Sequence, residues 1–254
     1  MQLVKSPRRL KRALSLFSLS ILLTAACSKS LYLQNSEVQL YKLTKESPKD
    51  SALVNYLRPY KSSLDSQMQQ VIAFAEKDIE RGRPEGALNN LMADAMYEVA
   101  KQKQIDFDVA YTNYGGLRLP ISKGDIKLST VFELMPFENL LTTVTFSGAD
   151  FQQFFDYIAS MGGDPIAGAT FVIKDKKAVD IRINGKPLDP NHDYTVLTSD
   201  YMANGGDGAE IFFQAKTRKA HDVKLRDALI LYLEQQAAAG KTINPKIDGR
   251  ITVQ

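Results

Sequence analysis

Cysteine is nearly absent from this sequence, and the one present, Cys27, lies close to the N-terminus. A single thiol excludes an intrachain disulfide and any zinc site built from several thiolates. Histidine is almost as scarce. His192 and His221 are the only two, in DPNHDY and KAHDV contexts that look like a turn and a helix start, and both are expected to be surface residues. A dinuclear metal centre that activates water needs several clustered ligands, and this sequence does not supply them. No GxSxG occurs, so serine or cysteine nucleophile chemistry has no support either. A genuine excess of charge is missing too. Five of the 32 basic residues (Lys5, Arg8, Arg9, Lys11 and Arg12) fall in the first 26 residues, which hold no acid. Without them 27 basic residues face 29 acidic ones, and the formal +3 becomes −2. Net charge therefore gives nucleic-acid binding no support.

That basic stretch is followed by an apolar run from Ala13 to Ala26, the pattern of an export signal. The run is short for a membrane-spanning helix, and Thr24-Ala25-Ala26 suits a signal peptidase. Cys27 stands where a lipoprotein signal places its acylated cysteine, although Thr24 occupies the third position upstream, where leucine is usual, and ordinary cleavage after Ala26 stays open. Residues 1–26 are thus expected to be a lipoprotein signal peptide, 27–50 a tether with one short strand at Leu31–Leu33 or Val38–Leu43, and 51–254 the folded domain. The location expected is the bacterial cell envelope, lipid-anchored on a periplasmic or surface face.

With 44% hydrophobic and 24% charged residues, the chain fits a globular protein with a sizeable core. From Asp65, apolar residues at Met68, Val71, Ile72, Ala75 and Ile79 fit an amphipathic helix, and Leu88, Leu91, Met92, Ala95 and Val99 fit a second. Between them, Arg81-Gly-Arg-Pro84 offers two cations. Phe107, Val109 and Tyr111 then alternate on one face of a strand that delivers Asn113. A short helix is expected at Ser129–Leu134, a strand at 140–146, a helix at Asp150–Ser160 opened by Ser147, and strands at Thr170–Lys174, Val179–Ile183 and Tyr194–Ser199 with an Asn184-Gly185 turn. A helix at Val223–Ala237, with Leu225, Ala228, Leu229 and Tyr232 inward, precedes a closing strand at Gly249–Val253. Without strict βαβ alternation, the fold class expected is α+β, a single domain with a mixed sheet and packed helices.

Two glycine-rich stretches carry the chemistry: NYGGLR at 113–118 and TSDYMANGGDGA at 198–209. Gly205, Gly206 and Gly208 permit backbone conformations that a Cβ forbids and let the main chain approach a ligand, as do Gly115 and Gly116. Asp207 between them is a carboxylate held at a fixed angle. It suits a vicinal diol such as a ribose.

TSDYMANGGDG resembles the signature near the end of the C-terminal domain of the 5′-nucleotidases of the UDP-sugar hydrolase type. NYGGLR resembles the same family's Asn-x-Gly-Gly-x-Arg loop, MPFEN at 135–139 its Pro-Phe-x-Asn segment, and NGKPLDPNHDYTV at 184–196 the hairpin before its last glycine loop. All four stand in the family's order. The resemblance, from about Leu53 to Val253, implies a substrate-recognition domain in which Phe137 and Tyr201 clamp a nucleobase, Asn113 and Asn139 address the nucleoside, Asp207 holds the ribose and Arg118 reaches the phosphate. One further family arginine precedes an NLxxDA helix start. Asn90-Leu91-Met-Ala-Asp94-Ala matches that helix, and spacing leaves Arg81 and Arg83 as alternatives. Tyr114 stands where the family has a small residue, Tyr201 where phenylalanine is common, and Ala209 where an aromatic is common.

The metallophosphoesterase motifs of full-length relatives, of the DxH, GNHD and GHxH kind, do not occur in this sequence. The implied function is the recognition component of a 5′-nucleotidase, completed by a separate metallophosphoesterase chain that alone carries the divalent metals, with no cofactor in this one. A non-catalytic nucleotide- or nucleoside-binding lipoprotein for scavenging and a degenerate structural module are the alternatives.

Overall fold

The computed structural model describes residues 33, 35–45 and 47–254. The chain divides into two units, Met1–Ser51 and Ala52–Gln254, and each is taken by itself. Cys27 and the expected export signal lie outside the described residues. In the first unit the strand expected at Val38–Leu43 does not form. Val38, Leu40, Tyr41 and Leu43 are all exposed, so pairing there would bury no apolar face. Of the alternative at Leu31–Leu33, only Leu33 is described, and it is not in a strand.

The second unit opens with α1 (Ser51–Met68), which buries none of its residues. The helix expected from Asp65 to Ile79 stops at Met68, and β1 (Val71–Ala75) follows at once. A five-residue apolar run does not distinguish helix from strand by spacing alone. Here antiparallel pairing with β3 (Gly124–Lys127) decides it, and Ile79 is carried by a separate bridge to Ile121. The next helix, α2 (Ala87–Gln102), forms as its periodicity dictates, with Leu88, Leu91, Met92, Ala95 and Val99 inward.

Among the described residues eleven strands form three sheets, mixed in direction, and the fold is of the α+β kind. The central five-stranded sheet runs in the order β10 (Thr217–Lys224), β4 (Leu140–Ser147), β9 (Asp193–Ser199), β2 (Val109–Tyr111) and β5 (Ile166–Ala167). Its neighbours are antiparallel except β2 and β9, where Val109 faces Val196 and Ala110 faces Leu197. A four-stranded sheet joins β11 (Ile251–Val253), β6 (Ala169–Lys174), β7 (Lys177–Ile183) and β8 (Lys186–Pro187). At the β7–β8 turn Asn184 and Gly185 both have positive φ, 49° and 79°, as a two-residue hairpin requires.

The central sheet separates two cores. Ala110, Leu141 and Leu197 pack with α2 and α6 (Leu225–Ala238) on one side. Val109, Tyr111, Val144, Phe146 and Val196 pack with α4 (Gly148–Ser160) on the other. The period-two alternation of a strand thus serves both faces. Phe107 does not share a face with Val109 and Tyr111; it precedes the strand and stands edge-on to Tyr97 in the first core, with ring centroids 5.0 Å apart. Ser147 opens α4 as the sequence indicates, its Oγ accepting the Asp150 N–H at 3.2 Å.

β10 has no counterpart in the sequence reading, which placed His221 at a helix start. Its side chains are mostly exposed and charged, so no apolar alternation marks it. Backbone pairing with β4, from Thr217 against Thr145 to Ala220 against Thr142, makes it an edge strand, and charged side chains are what protect such an edge. The helix expected from Val223 accordingly begins at Leu225.

Candidate functional site

The site lies at one end of the central sheet because β2 and β9 are parallel neighbours and their C-terminal ends open side by side. Loops after parallel strands on a fixed sheet are a common place for binding groups. β2 delivers Asn113 and the single 3₁₀ turn Tyr114–Gly116. β9 delivers α5 (Asp200–Ala203), capped by Ser199, whose Oγ accepts the Met202 N–H at 3.1 Å. The loop of Gly205–Gly208 follows. β4 runs antiparallel to β9, with Leu141 against Ser199, so the Met135–Asn139 segment before it reaches the same edge after α3 (Leu128–Leu134).

These segments enclose a cleft of about 260 Å³. Asn113, Arg118, Phe137, Asn139, Tyr201 and Asp207 line it, as do Gly115 and Gly116. Met135 and Leu225 complete the wall. Phe137 and Tyr201 are 40% and 45% exposed, unusually open for rings beside two cores that bury so many others. Arg118 is exposed, and its Nη1 donates to the Gly115 carbonyl at 3.4 Å.

Asp207 is the polar centre. It sits in the left-handed region at φ 53°, Asn113 Nδ2 donates to its Oδ2 at 2.7 Å and Tyr201 Oη to its Oδ1 at 2.7 Å. Its own N–H donates back to Tyr201 Oη at 3.2 Å, and Tyr157 Oη donates to its carbonyl at 3.3 Å. The Asp207 carboxylate beside it raises the Tyr201 phenol above its ordinary value. Gly205, Gly206 and Gly208 do not line the cleft. The close approach at Gly206 is to the chain's own Tyr201, since a Cβ would stand 2.4 Å from Cε1 of that ring, and at Gly205 it is to Phe213, at 2.5 Å.

Arg81 and Arg83 lie beside the cleft, not among its lining residues. Their guanidinium carbons stand 4.5 and 4.6 Å from the centre of the Tyr114 ring, within cation–π range. Arg81 Nη1 donates to the Leu117 carbonyl at 2.8 Å, and Arg83 Nη2 meets Asp164 Oδ1 at 3.3 Å. Asn89, at the start of α2, fixes the segment between them by donating to the Gly82 carbonyl at 2.9 Å and accepting the Gly82 N–H at 3.2 Å.

Sequence reasoning passed over two residues that hold the walls. Asp164, 2% exposed, accepts from Tyr111 Oη at 3.1 Å and from the Tyr114 N–H at 3.4 Å besides pairing with Arg83. Burial pushes its carboxyl up to about 6, against the pull of Tyr111, Arg83 and Tyr114, and burial likewise pushes Tyr157 up to about 12. The Gly-Gly-Asp-Pro run at 162–165 was its available signal. Arg226, 4% exposed, lies over the Phe132 ring at 4.1 Å and donates to the carbonyls of Met135 and Phe137, both at 3.4 Å. It also grips Glu138, which Lys224 holds from the other side. Hydrogen bonds from Lys224 and then Arg226 draw the Glu138 carboxyl down to about 2. No sequence pattern distinguishes an arginine that clamps a loop from one that faces solvent.

Among the described residues no group of three or more His, Cys, Asp and Glu side chains is placed to hold a metal ion. His192 stands edge-on to Tyr194, and His221 shares a 3.0 Å hydrogen bond with Thr143 Oγ1. They sit on different elements, His192 before β9 and His221 within β10.

The model of the 5′-nucleotidase C-terminal domain matches residues 71–215, more than half of the chain. A 5′-nucleotidase of Vibrio cholerae is 29% identical over 182 residues, covering 68% of this chain and 32% of the relative. A cell wall protein of Listeria monocytogenes is 27% identical over 217 residues, covering 75% of this chain and 28% of the relative. The crystal structure of a 5′-nucleotidase precursor from Thermus thermophilus superposes with a TM-score of 0.66 at 25% identity, over 81% of this chain and 44% of that one. The chain spans about a third of the length of the curated 5′-nucleotidase it matches. With all four motifs in order, a family match over more than half the chain and the same fold, the chain belongs to the 5′-nucleotidase C-terminal domain family.

Proposed function

We propose that the cleft recognises a nucleotide or nucleoside and serves a 5′-nucleotidase, with phosphate ester hydrolysis supplied by a metallophosphoesterase chain. The observation that carries this reading is the convergence of Phe137, Tyr201, Asp207, Asn113, Asn139 and Arg118 on one cleft. The two rings offer π-faces to a base, and the Asn113 and Asn139 amides offer a donor and an acceptor each. Arg118, whose Nη1 meets the Gly115 carbonyl, offers a guanidinium fork to a phosphate. Arg81 and Arg83, on either account of the further arginine, act from beside the cleft through Tyr114.

Among the described residues neither histidine belongs to a group of side chains placed to hold a metal ion. Divalent ions are assigned to the proposed partner. A second reading, a binding protein without a catalytic role, draws on the same cleft.

At the N-terminus, acylation of Cys27 after a basic and then apolar leader is proposed to anchor the protein to a membrane of the cell envelope. The cell wall relative supports an envelope location.

The test is reconstitution. A purified metallophosphoesterase chain is assayed for AMP hydrolysis with and without this protein, and a gain in rate that disappears with Phe137→Ala is expected. Chelator-sensitive AMP hydrolysis by this protein alone contradicts the division of labour. High affinity for AMP with no effect on any such partner favours the binding-only reading.

A further inference from the structure

We propose that Asp164 is a positioning residue for the cleft, which in its ionised form fixes the wall at 111–114 and makes ligand binding release a proton. The inference rests on the nucleotide reading above. Asp164 is not among the residues that line the cleft, and it acts through the segment that carries Asn113. Its Oδ2 accepts from Tyr111 Oη at 3.1 Å and its Oδ1 from the Tyr114 N–H at 3.4 Å, so it holds the chain on either side of Asn113. The Thr112 N–H donates to the Pro165 carbonyl at 3.1 Å and ties the same two segments together. Arg83 closes the arrangement, with Nη2 at 3.3 Å from Oδ1 and its guanidinium over the Tyr114 ring. Its segment is seated on the turn before Asp164, since a Cβ at Gly163 would stand 2.1 Å from the Pro84 carbonyl oxygen.

All three neighbours donate, which suits a carboxylate, because a carboxylate only accepts. A carboxylic acid must place its own proton among them. Either the Tyr111 hydroxyl then turns from donor to acceptor or a donor on Oδ1 loses its partner, and in both cases Arg83 loses its counter-charge. The surroundings of Asp164 set the balance between the two forms. Burial favours the neutral form, the Tyr111 hydrogen bond, the Arg83 charge and the Tyr114 N–H oppose it, and the Asp207 carboxylate in the loop after β9 adds to burial. Tyr157 of α4 also faces Asp164 and stays neutral, held at about 12 by burial and then by the Asp164 charge. Arg81, the other guanidinium on the Tyr114 ring, turns its Nη1 to the Leu117 carbonyl instead. The outcome is a carboxyl at about 6. A ligand that needs the ionised arrangement therefore meets about one molecule in eleven at pH 5 and about ten in eleven at pH 7.

The experiment is calorimetric titration of the full chain with adenosine, an uncharged ligand, from about pH 5 to pH 8 in two buffers of different ionisation enthalpy. Wild-type affinity is expected to rise roughly five- to tenfold between pH 5 and pH 7, with about half a proton released per adenosine near pH 6. In Asp164→Asn the affinity is expected to change by less than about twofold over that range and the released proton to vanish, which a residue that only supports the fold would not bring about. Arg83→Leu alters the exposed side of the pair and removes a pull toward the ionised form, so the midpoint of its profile is expected above about pH 6. This second variant decides the matter should Asp164→Asn fail to fold. A wild-type affinity independent of pH, a profile that persists in Asp164→Asn, or a midpoint unmoved in Arg83→Leu overturns the inference and leaves nucleotide recognition standing. A wild type that binds adenosine at no pH overturns both.

Discussion

Phe137 and Tyr201 keep about two fifths of their surface in water, while Tyr111, Phe146, Phe151, Phe154, Phe155 and Phe212 are fully buried a short distance away. What holds Phe137 out is Arg226, whose guanidinium takes the carbonyls on either side of Pro136 and the Glu138 carboxylate. Arg226→Met keeps the aliphatic contact but strands those acceptors. It is expected to weaken nucleoside binding by about tenfold, at roughly 1–2 kcal/mol for the lost hydrogen bonds. Arg226→Lys should not restore it, because an ammonium cannot serve three acceptors arranged for a planar fork. Titration of both variants with adenosine checks this, and wild-type affinity in Arg226→Met would contradict it. Arg118 acts at the opposite end of the ligand. Arg118→Ala is expected to weaken AMP binding by about tenfold or more, the range of a charge-assisted hydrogen bond. Adenosine affinity should change little, and an equal loss for both ligands would place Arg118 elsewhere.

At the scale of elements, the loop after β9 is the most tightly specified part of the site. Gly206→Ala would drive a methyl into the Tyr201 ring. Overpacking of this kind costs on the order of 1–3 kcal/mol. The double variant Gly206→Ala with Tyr201→Ala should recover most of that stability, since the clash is then gone; strict additivity of the two in chemical denaturation would rule the contact out. This loop was legible through its resemblance to a family signature, since glycine-rich backbone by itself permits many paths. The Asn113–Arg118 turn and Phe137 were legible in the same way, through the motifs they stand in, since an aromatic before a strand taken alone reads as core. Elements defined by pairing were not. β1 carries five residues whose spacing also fits a helix, and only its partner Gly124–Lys127 decides between them. β10 has no apolar pattern and exists because β4 offers an open edge. Arg226 and Asp164 were invisible for a related reason: their burial depends on segments about 50 to 90 positions away, and no local pattern encodes that.

For the whole molecule, the two cores flanking the central sheet set the background against which the site's buried charge is felt. Asp164 lies in that background with its carboxyl raised from 3.8 to about 6. The raised value means that, between about pH 4 and 6, the folded chain keeps a proton that the unfolded chain has lost. Stability attributable to this group is therefore greatest at low pH and declines as pH rises through the window. Asp164→Asn has no such slope. Relative to wild type it should gain on the order of 2–3 kcal/mol between pH 4 and pH 7. Denaturant midpoints at four pH values check this, and parallel profiles for the two proteins would contradict it.

By itself this chain is expected to recognise a nucleotide in the cleft between Phe137, Tyr201 and Asp207. Calorimetric titration of AMP into wild type and Phe137→Ala, at one salt concentration, tests it most directly. Stacking on an aromatic is worth about 1–3 kcal/mol per base, so saturable one-site binding is expected in wild type and a loss of roughly ten- to a hundredfold in the variant. Absence of binding to wild type, or equal affinity in the two proteins, would contradict the account.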